Sequence, residues 1–122
     1  MKKILLLFCL LGGALFAGAE PLWMRYCAIS PDGSKIAFAY KGDVYVVNSD
    51  GGMAQRLTTE EGFESSPVWS NDGKTIAFVS DRNGGRDIFV VPAAGGVAKR
   101  VTTHYTRKKV LAFSKDDKFI YY

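Results

Sequence analysis

One stretch of this sequence occurs twice at a fixed spacing, and that repetition limits the fold more than any other feature. Ser30-Pro31-Asp32-Gly33-Ser34-Lys35-Ile36-Ala37-Phe38 returns 40 residues later as Ser70-Asn71-Asp72-Gly73-Lys74-Thr75-Ile76-Ala77-Phe78. Three further segments return 44 residues later. Asp43-Val44-Tyr45-Val46-Val47 becomes Asp87-Ile88-Phe89-Val90-Val91, Gly51-Gly52 becomes Gly95-Gly96, and Arg56-Leu57-Thr58-Thr59 becomes Arg100-Val101-Thr102-Thr103. The difference of four falls within residues 81–86, where the second copy has the longer turn. A third copy starts at Ala112-Phe113-Ser114-Lys115-Asp116-Asp117-Lys118-Phe119-Ile120-Tyr121. A period of 40 to 44 residues fits a four-stranded propeller blade and exceeds most helical repeats.

The local chemistry of each unit agrees with that period. Short apolar runs alternate with turn residues, and no stretch shows helical 3.6 spacing. In the second unit, 67–70 reads as a strand and Asn71-Asp72-Gly73 as a tight turn in which Gly73 supplies a positive φ. Strands then follow over 75–80, 87–91 and 98–102, separated by turns at Asn83-Gly84-Gly85 and Gly95-Gly96. The expected fold is all-β: propeller blades of four antiparallel strands, with blade 1 at about 26–59, blade 2 at about 67–103 and the first half of a third at about 111–122. The inner strands are apolar on both faces, as in Ile76-Ala77-Phe78-Val79, which suits a sheet sandwiched between two others. Ala37 and Ala77 are small enough to let neighbouring sheets approach. Gln55-Arg56 and Lys99-Arg100 mark outer strands at the solvent rim. A plain β-sandwich is the all-β alternative, and the repeat disfavours it. Two and a half blades leave open faces at both ends, so the isolated chain is expected to be a poor independent domain.

The first nineteen residues follow a different rule. Lys2 and Lys3 precede an apolar run over 4–16, and Ala17-Gly18-Ala19 supplies small residues in an A-x-A arrangement. This is the pattern of a cleavable secretory signal peptide spanning 1–19. The alternatives are a membrane anchor or a buried helix. The apolar run is shorter than the ~20 residues a bilayer core requires, so stable membrane insertion is not expected. Cys9 follows Phe8, not a small residue, which argues against lipoprotein cleavage there. Cleavage after Ala19 leaves Cys27 as the single cysteine, expected to be a small buried core residue and not a nucleophile.

Little else in the sequence carries chemistry. The formal charge is +4, and setting aside Lys2 and Lys3 leaves 14 basic against 12 acidic residues. Basic clustering is confined to Arg107-Lys108-Lys109, so no nucleic-acid partner is expected. The single histidine, His104, falls in a connection between blades, with no serine and carboxylate marked out as its triad partners. Asp81-Arg82-Asn83-Gly84-Gly85-Arg86-Asp87 lacks the alternating acids and closing glutamate of a calcium loop. The glycine pairs 51–52, 84–85 and 95–96 precede no helix, so they are turns and not phosphate cradles. No catalytic, cofactor-binding or metal-ligating residue is expected within the chain, and no cofactor.

These residues resemble a known repeat. Ser30 to Phe38, Val68-Trp69-Ser70, Ser80-Asp81-Arg82 and Leu57-Thr58-Thr59 are similar to the TolB-like, WD-like propeller repeat of bacterial envelope proteins. The resemblance to these repeats implies that the Asp and Arg residues of the 81–87 stretch pin the hairpin and the blade contacts. Pro21-Leu22-Trp23-Met24-Arg25-Tyr26, running from a signal peptide straight into the first blade, resembles the start of the tricorn-type serine peptidases of the Bacteroidetes. That resemblance implies a periplasmic protein whose propeller gates or channels peptides, or binds proteins. It also implies a downstream PDZ domain and a C-terminal-processing-peptidase core that holds the catalytic residues. A non-enzymatic TolB-like binding propeller and the propeller of a prolyl-oligopeptidase-type hydrolase stay open as alternatives. The third repeat departs from the pattern, with Lys115 in place of proline and Asp117 in place of glycine, which puts the tightness of its turn in question.

Overall fold

The computed structural model describes residues 23–122, so the proposed signal peptide at 1–19 lies outside the described residues. Ten strands follow in order: β1 (Arg25–Ile29), β2 (Lys35–Tyr40), β3 (Asp43–Asn48), β4 (Gln55–Arg56), β5 (Glu64–Trp69), β6 (Thr75–Ser80), β7 (Asp87–Pro92), β8 (Lys99–Arg100), β9 (Ala112–Phe113) and β10 (Ile120–Tyr121). They form two four-stranded antiparallel sheets, β1-β2-β3-β4 and β5-β6-β7-β8, and a β9-β10 pair. These are two propeller blades and the opening hairpin of a third.

The two full blades repeat each other atom by atom at several points. In β1, Arg25 pairs with Ala39 and Ala28 with Ala37, so Tyr26 and Cys27 together oppose one residue. In β5, Ser65 pairs with Val79 and Val68 with Ala77, so Ser66 and Pro67 form the same bulge. Tyr26 and Ser66 both take positive φ there, 57° and 54°. The bulge explains Pro67: it contributes no N–H, and a bulge is where a strand tolerates that. It also explains why β5 begins at Glu64, ahead of the apolar run that the sequence pattern marks. The bulge corrects one expectation as well. Cys27 is exposed, not buried, because it sits in a bulged edge strand with a partner on one side only.

The blade-to-blade core lies between facing sheets. Ala37, Val44, Val46 and Leu57 of the first blade meet Trp69, Ile76, Phe78, Phe89 and Val91 of the second. The opposite face of the second blade, with Ala77, Val79 and Ile88, packs on Val110, Phe113 and Ile120. Ala37 and Ala77 are fully buried at these junctions, as their size requires. Phe78 stacks on Phe89 at 5.8 Å, and Phe38 on Tyr45 at 5.6 Å, the same cross-strand pair in each blade. Trp69 Nε1 donates to Ala28 O at 2.9 Å and ties the inner strands of the two blades together. Trp69→Phe leaves that carbonyl without its donor and opens a small cavity in the blade-to-blade core. The expected cost is about 2–4 kcal/mol, read as a lower urea midpoint.

Each outer strand is held by a recurring clasp. In the second blade, Asp87 accepts from Thr102 Oγ1 at 3.1 Å and from Arg100 Nη2 at 2.5 Å. Arg100 Nε donates to Thr102 O at 2.9 Å. The first blade repeats this with Asp43, Thr58 and Arg56, whose guanidinium meets Asp43 at 2.8 Å. The two-residue β4 and β8 are too short to hold themselves, so this side-chain clasp does what longer ladders do elsewhere.

The hairpin turns close in the same way three times. Ser30, Ser70 and Ser114 each donate to the aspartate two residues on, at 2.7 Å in every copy. The Ser30 hydroxyl, helped by the Ser34 N–H and hydroxyl, holds the Asp32 carboxyl down at about 2. Asp72 and Asp116 are lowered by the matching serine hydroxyls and by the N–H groups of Lys74 and Lys118. The third turn is as tight as the others despite its altered sequence. Asp117 adopts φ 58° where Gly33 and Gly73 adopt 74° and 70°, and its N–H reaches Ser114 O at 2.8 Å. Its carboxylate then accepts from Asn71 N, Asn71 Nδ2 and Asp72 N at 2.7 to 2.9 Å. At the preceding junction the same positions hold Pro31 and Gly73, and Gly73 lies beside the Pro31 ring.

Candidate functional site at the first blade junction

A cleft of about 230 Å³ opens between the first two blades, on the end of the sheets where the chain crosses from blade to blade. Its walls are Trp23, Arg25, Tyr26, Ala39, Lys41, Gly42 and Phe63. The opening strand supplies one wall. The two-residue Lys41-Gly42 hairpin supplies another, with both residues at positive φ, 50° and 89°, as a type I′ turn requires. Phe63 arrives from the crossover, its N–H bound to Asp81 Oδ1 at 2.7 Å. Glu64 N donates to Gly42 O at 2.8 Å, which fixes the crossover against the hairpin.

The cleft is apolar in its walls and cationic at its edge. Trp23, Tyr26 and Phe63 are 70%, 49% and 54% exposed, a high concentration of accessible aromatic surface in one place. The Arg25 guanidinium lies 5.3 Å from the Trp23 ring, and Lys41 Nζ lies 5.4 Å from the Tyr40 ring. Among the described residues, neither cation forms a salt bridge.

Beside the cleft is a second constellation, which is structural. The Glu64 side chain is fully buried, and Arg82 Nη2 meets its Oε1 at 2.5 Å. Ser80 Oγ donates to the same oxygen at 3.1 Å. Arg82 also pairs with Glu60 at 2.7 Å and covers the Phe89 ring at 4.6 Å. Arg82 belongs to the longer turn that separates the two repeat offsets, so the insertion carries the counter-ion of the buried glutamate. Gly62 runs against it: a Cβ there would stand 2.8 Å from Arg82 Cβ.

The model of the tricorn protease N-terminal β-propeller domain matches residues 21–122. The chain belongs to this propeller family. The Tol-Pal system protein TolB of Desulfosudis oleivorans is 41% identical over 58 residues, which are 44% of this chain and 13% of that protein. The crystal structure of TolB from Acinetobacter baumannii superposes with a TM-score of 0.65 at 27% identity, over 78% of this chain and 25% of that one. The crystal structure of the tricorn protease gives a TM-score of 0.67 at 19% identity, over 80% of this chain and 10% of that one, and so shares the fold. This chain therefore spans a minor part of each relative's length.

Within this tricorn-type propeller region, the residues that the sequence marks fall in separate places. His104 is exposed in the crossover between the second and third blades. Its carbonyl accepts from Lys108 Nζ. Asp81 and Arg82 pin the hairpin and the crossover, as the resemblance implies, while Asp87 belongs to the outer-strand clasp. The basic run 107–109 is not one solvated patch. Lys108 is buried, with Nζ 3.1 Å from Asp87 Oδ1. Sequence reasoning missed two of the buried charges, Glu64 and Lys108. They stand 44 residues apart at equivalent repeat positions with opposite sign, and aligning the crossovers as well as the strands would have exposed them.

Proposed function

We propose that the chain is the exported propeller region of a tricorn-type serine peptidase, which gates or channels peptides toward a peptidase core carried elsewhere in the protein. The observation that carries this reading is the place of Trp23, Arg25 and Tyr26. The opening segment that resembles those peptidases forms one wall of an accessible aromatic cleft at a blade junction. Family membership supports the same reading. In it, residues 1–19 are a signal peptide removed on export, residues 20–122 begin the mature propeller in the periplasm, and PDZ and peptidase domains lie downstream. Peptide or protein segments are the partners.

The test is active-site labelling of the native gene product. An antibody raised to this propeller should capture from the envelope fraction a species that a fluorophosphonate probe labels covalently. Capture of an unlabelled propeller protein would overturn the peptidase reading. It would favour a second one, a non-enzymatic propeller of the TolB kind that binds a protein partner. The identity with TolB proteins over this region is the observation that supports it.

A further inference from the structure

The cleft at the first blade junction has a chemistry that specifies what it holds. Its volume of about 230 Å³ falls below the ~300–1,000 Å³ usual for small-molecule and cofactor sites. It suits a single bulky side chain. Its walls are aromatic and its two charged residues, Arg25 and Lys41, are both cationic, exposed and without a carboxylate partner among the described residues. The Arg25 guanidinium rests over the Trp23 ring of the cleft itself, whereas Lys41 Nζ lies over Tyr40, a ring outside the cleft that packs on Tyr45. A ring face holds the cation in place while leaving its N–H donors free.

We infer that this cleft binds an acidic segment of a polypeptide, taking one aromatic or large aliphatic side chain between Trp23, Tyr26 and Phe63. A neighbouring aspartate or glutamate side chain then pairs with Arg25 and Lys41. Charge complementarity is the argument for this occupant. Desolvating two unpaired cations at the rim of an apolar pocket is unfavourable unless the ligand brings the opposite charge. The inference deepens the peptide-gating reading and rests on it.

The test uses octapeptides capped at both ends, so that no terminal charge contributes. One carries a phenylalanine between two glutamates, a second replaces the glutamates by lysines, and a third replaces the phenylalanine by alanine. Binding to the native gene product is read by fluorescence anisotropy of the labelled peptide and by quenching of tryptophan emission. The first peptide should bind at least tenfold more tightly than either of the others. Raising salt should weaken it, and the double variant Arg25→Ala/Lys41→Ala should lose most of the difference. Both residues are exposed, and unchanged far-ultraviolet circular dichroism confirms that the variant folds. Equal binding of the acidic and basic peptides would overturn the inference. So would unchanged binding by the double variant, or equal competition by inorganic phosphate or phosphatidylglycerol vesicles. Binding that appears once residues 20–22 are deleted would overturn it too, because the chain's own segment would then be the occupant. Fluorophosphonate labelling is independent of these outcomes, so failure here and failure of the peptidase reading are distinguishable.

Discussion

Arg82→Ala should cost about 3–5 kcal/mol, a large share of the ~5–15 kcal/mol that holds a domain of this size folded. The Glu64 carboxylate is fully buried, and its Oε1 is held by Arg82 and the Ser80 hydroxyl. Its Oε2 has no hydrogen-bond partner among the described residues. Removing the guanidinium leaves an anion out of water with one hydroxyl for company. It also uncovers the Phe89 ring, which the guanidinium faces at 4.6 Å. Urea unfolding of the native gene product, followed by far-ultraviolet circular dichroism, would read the loss as a lower midpoint. Glu64→Gln in the same chain should recover much of it, since the uncompensated charge is then gone. A loss below about 1 kcal/mol in Arg82→Ala, the range of an exposed pair, would refute the account. Gly62→Ala should act through the same group. Its Cβ would press on Arg82 at 2.8 Å from a backbone at φ 150°, so both the contact and the conformation are unfavourable.

Asp87→Ala is expected to be of comparable size. Asp87 is buried and accepts from Thr102, Arg100 and Lys108. Without it the Lys108 ammonium is left buried beside backbone carbonyls. The Arg100 clasp on the outer strand is lost as well. Breaking a buried pair from one side costs about 3–5 kcal/mol, and thermal unfolding should show it. The same group predicts an acid response. Desolvation pushes the Asp87 carboxyl up, but the Lys108, Arg100 and Thr102 hydrogen bonds outweigh it and the net shift is downward. A carboxyl held below its unfolded value, near ~4, contributes stability that is complete above that pH. The contribution is lost as pH falls through the folded value. The wild-type chain should therefore lose stability steeply below about pH 4, and Asp87→Ala should show a shallower acid dependence. An unchanged acid slope in the variant would sink the assignment.

The architecture was legible because the strands repeat in sequence and their turns repeat with them. Ser30 to Phe38 and Ser70 to Phe78 share the serine-aspartate turn and the apolar strand behind it, and both appear in the structure where the pattern puts them. What escaped the sequence lies in the crossovers and the bulges. Cys27 sits among apolar neighbours, and no local pattern reveals that a bulge turns it outward. Lys108 sits between two other basic residues. Its burial depends on Asp87, 21 positions earlier, facing it from another blade. The cleft was half legible: the opening segment Trp23 to Tyr26 stands out by resemblance. Phe63 and Lys41 join it only when the crossover and the hairpin fold onto the same end. Asp117 reads as a defect in a glycine turn, and the structure makes it an inter-blade acceptor.

The exchange of Pro31 opposite Gly73 for Asn71 opposite Asp117 has a consequence for assembly. Near-identical repeats risk docking in the wrong order, within one chain or between chains. The two junctions are not interchangeable. A third blade laid against the first would set the Asp117 carboxylate on the Pro31 ring, which offers neither an N–H nor a side-chain amide. A second blade laid against the second would bring Gly73 to Asn71 and leave the Asn71 donors without the carboxylate that they meet in the correct order. At these two junctions one pair of turn residues thus distinguishes the right neighbour from the wrong one, and blade order is written in the first hairpin turn of each blade and not in the shared core.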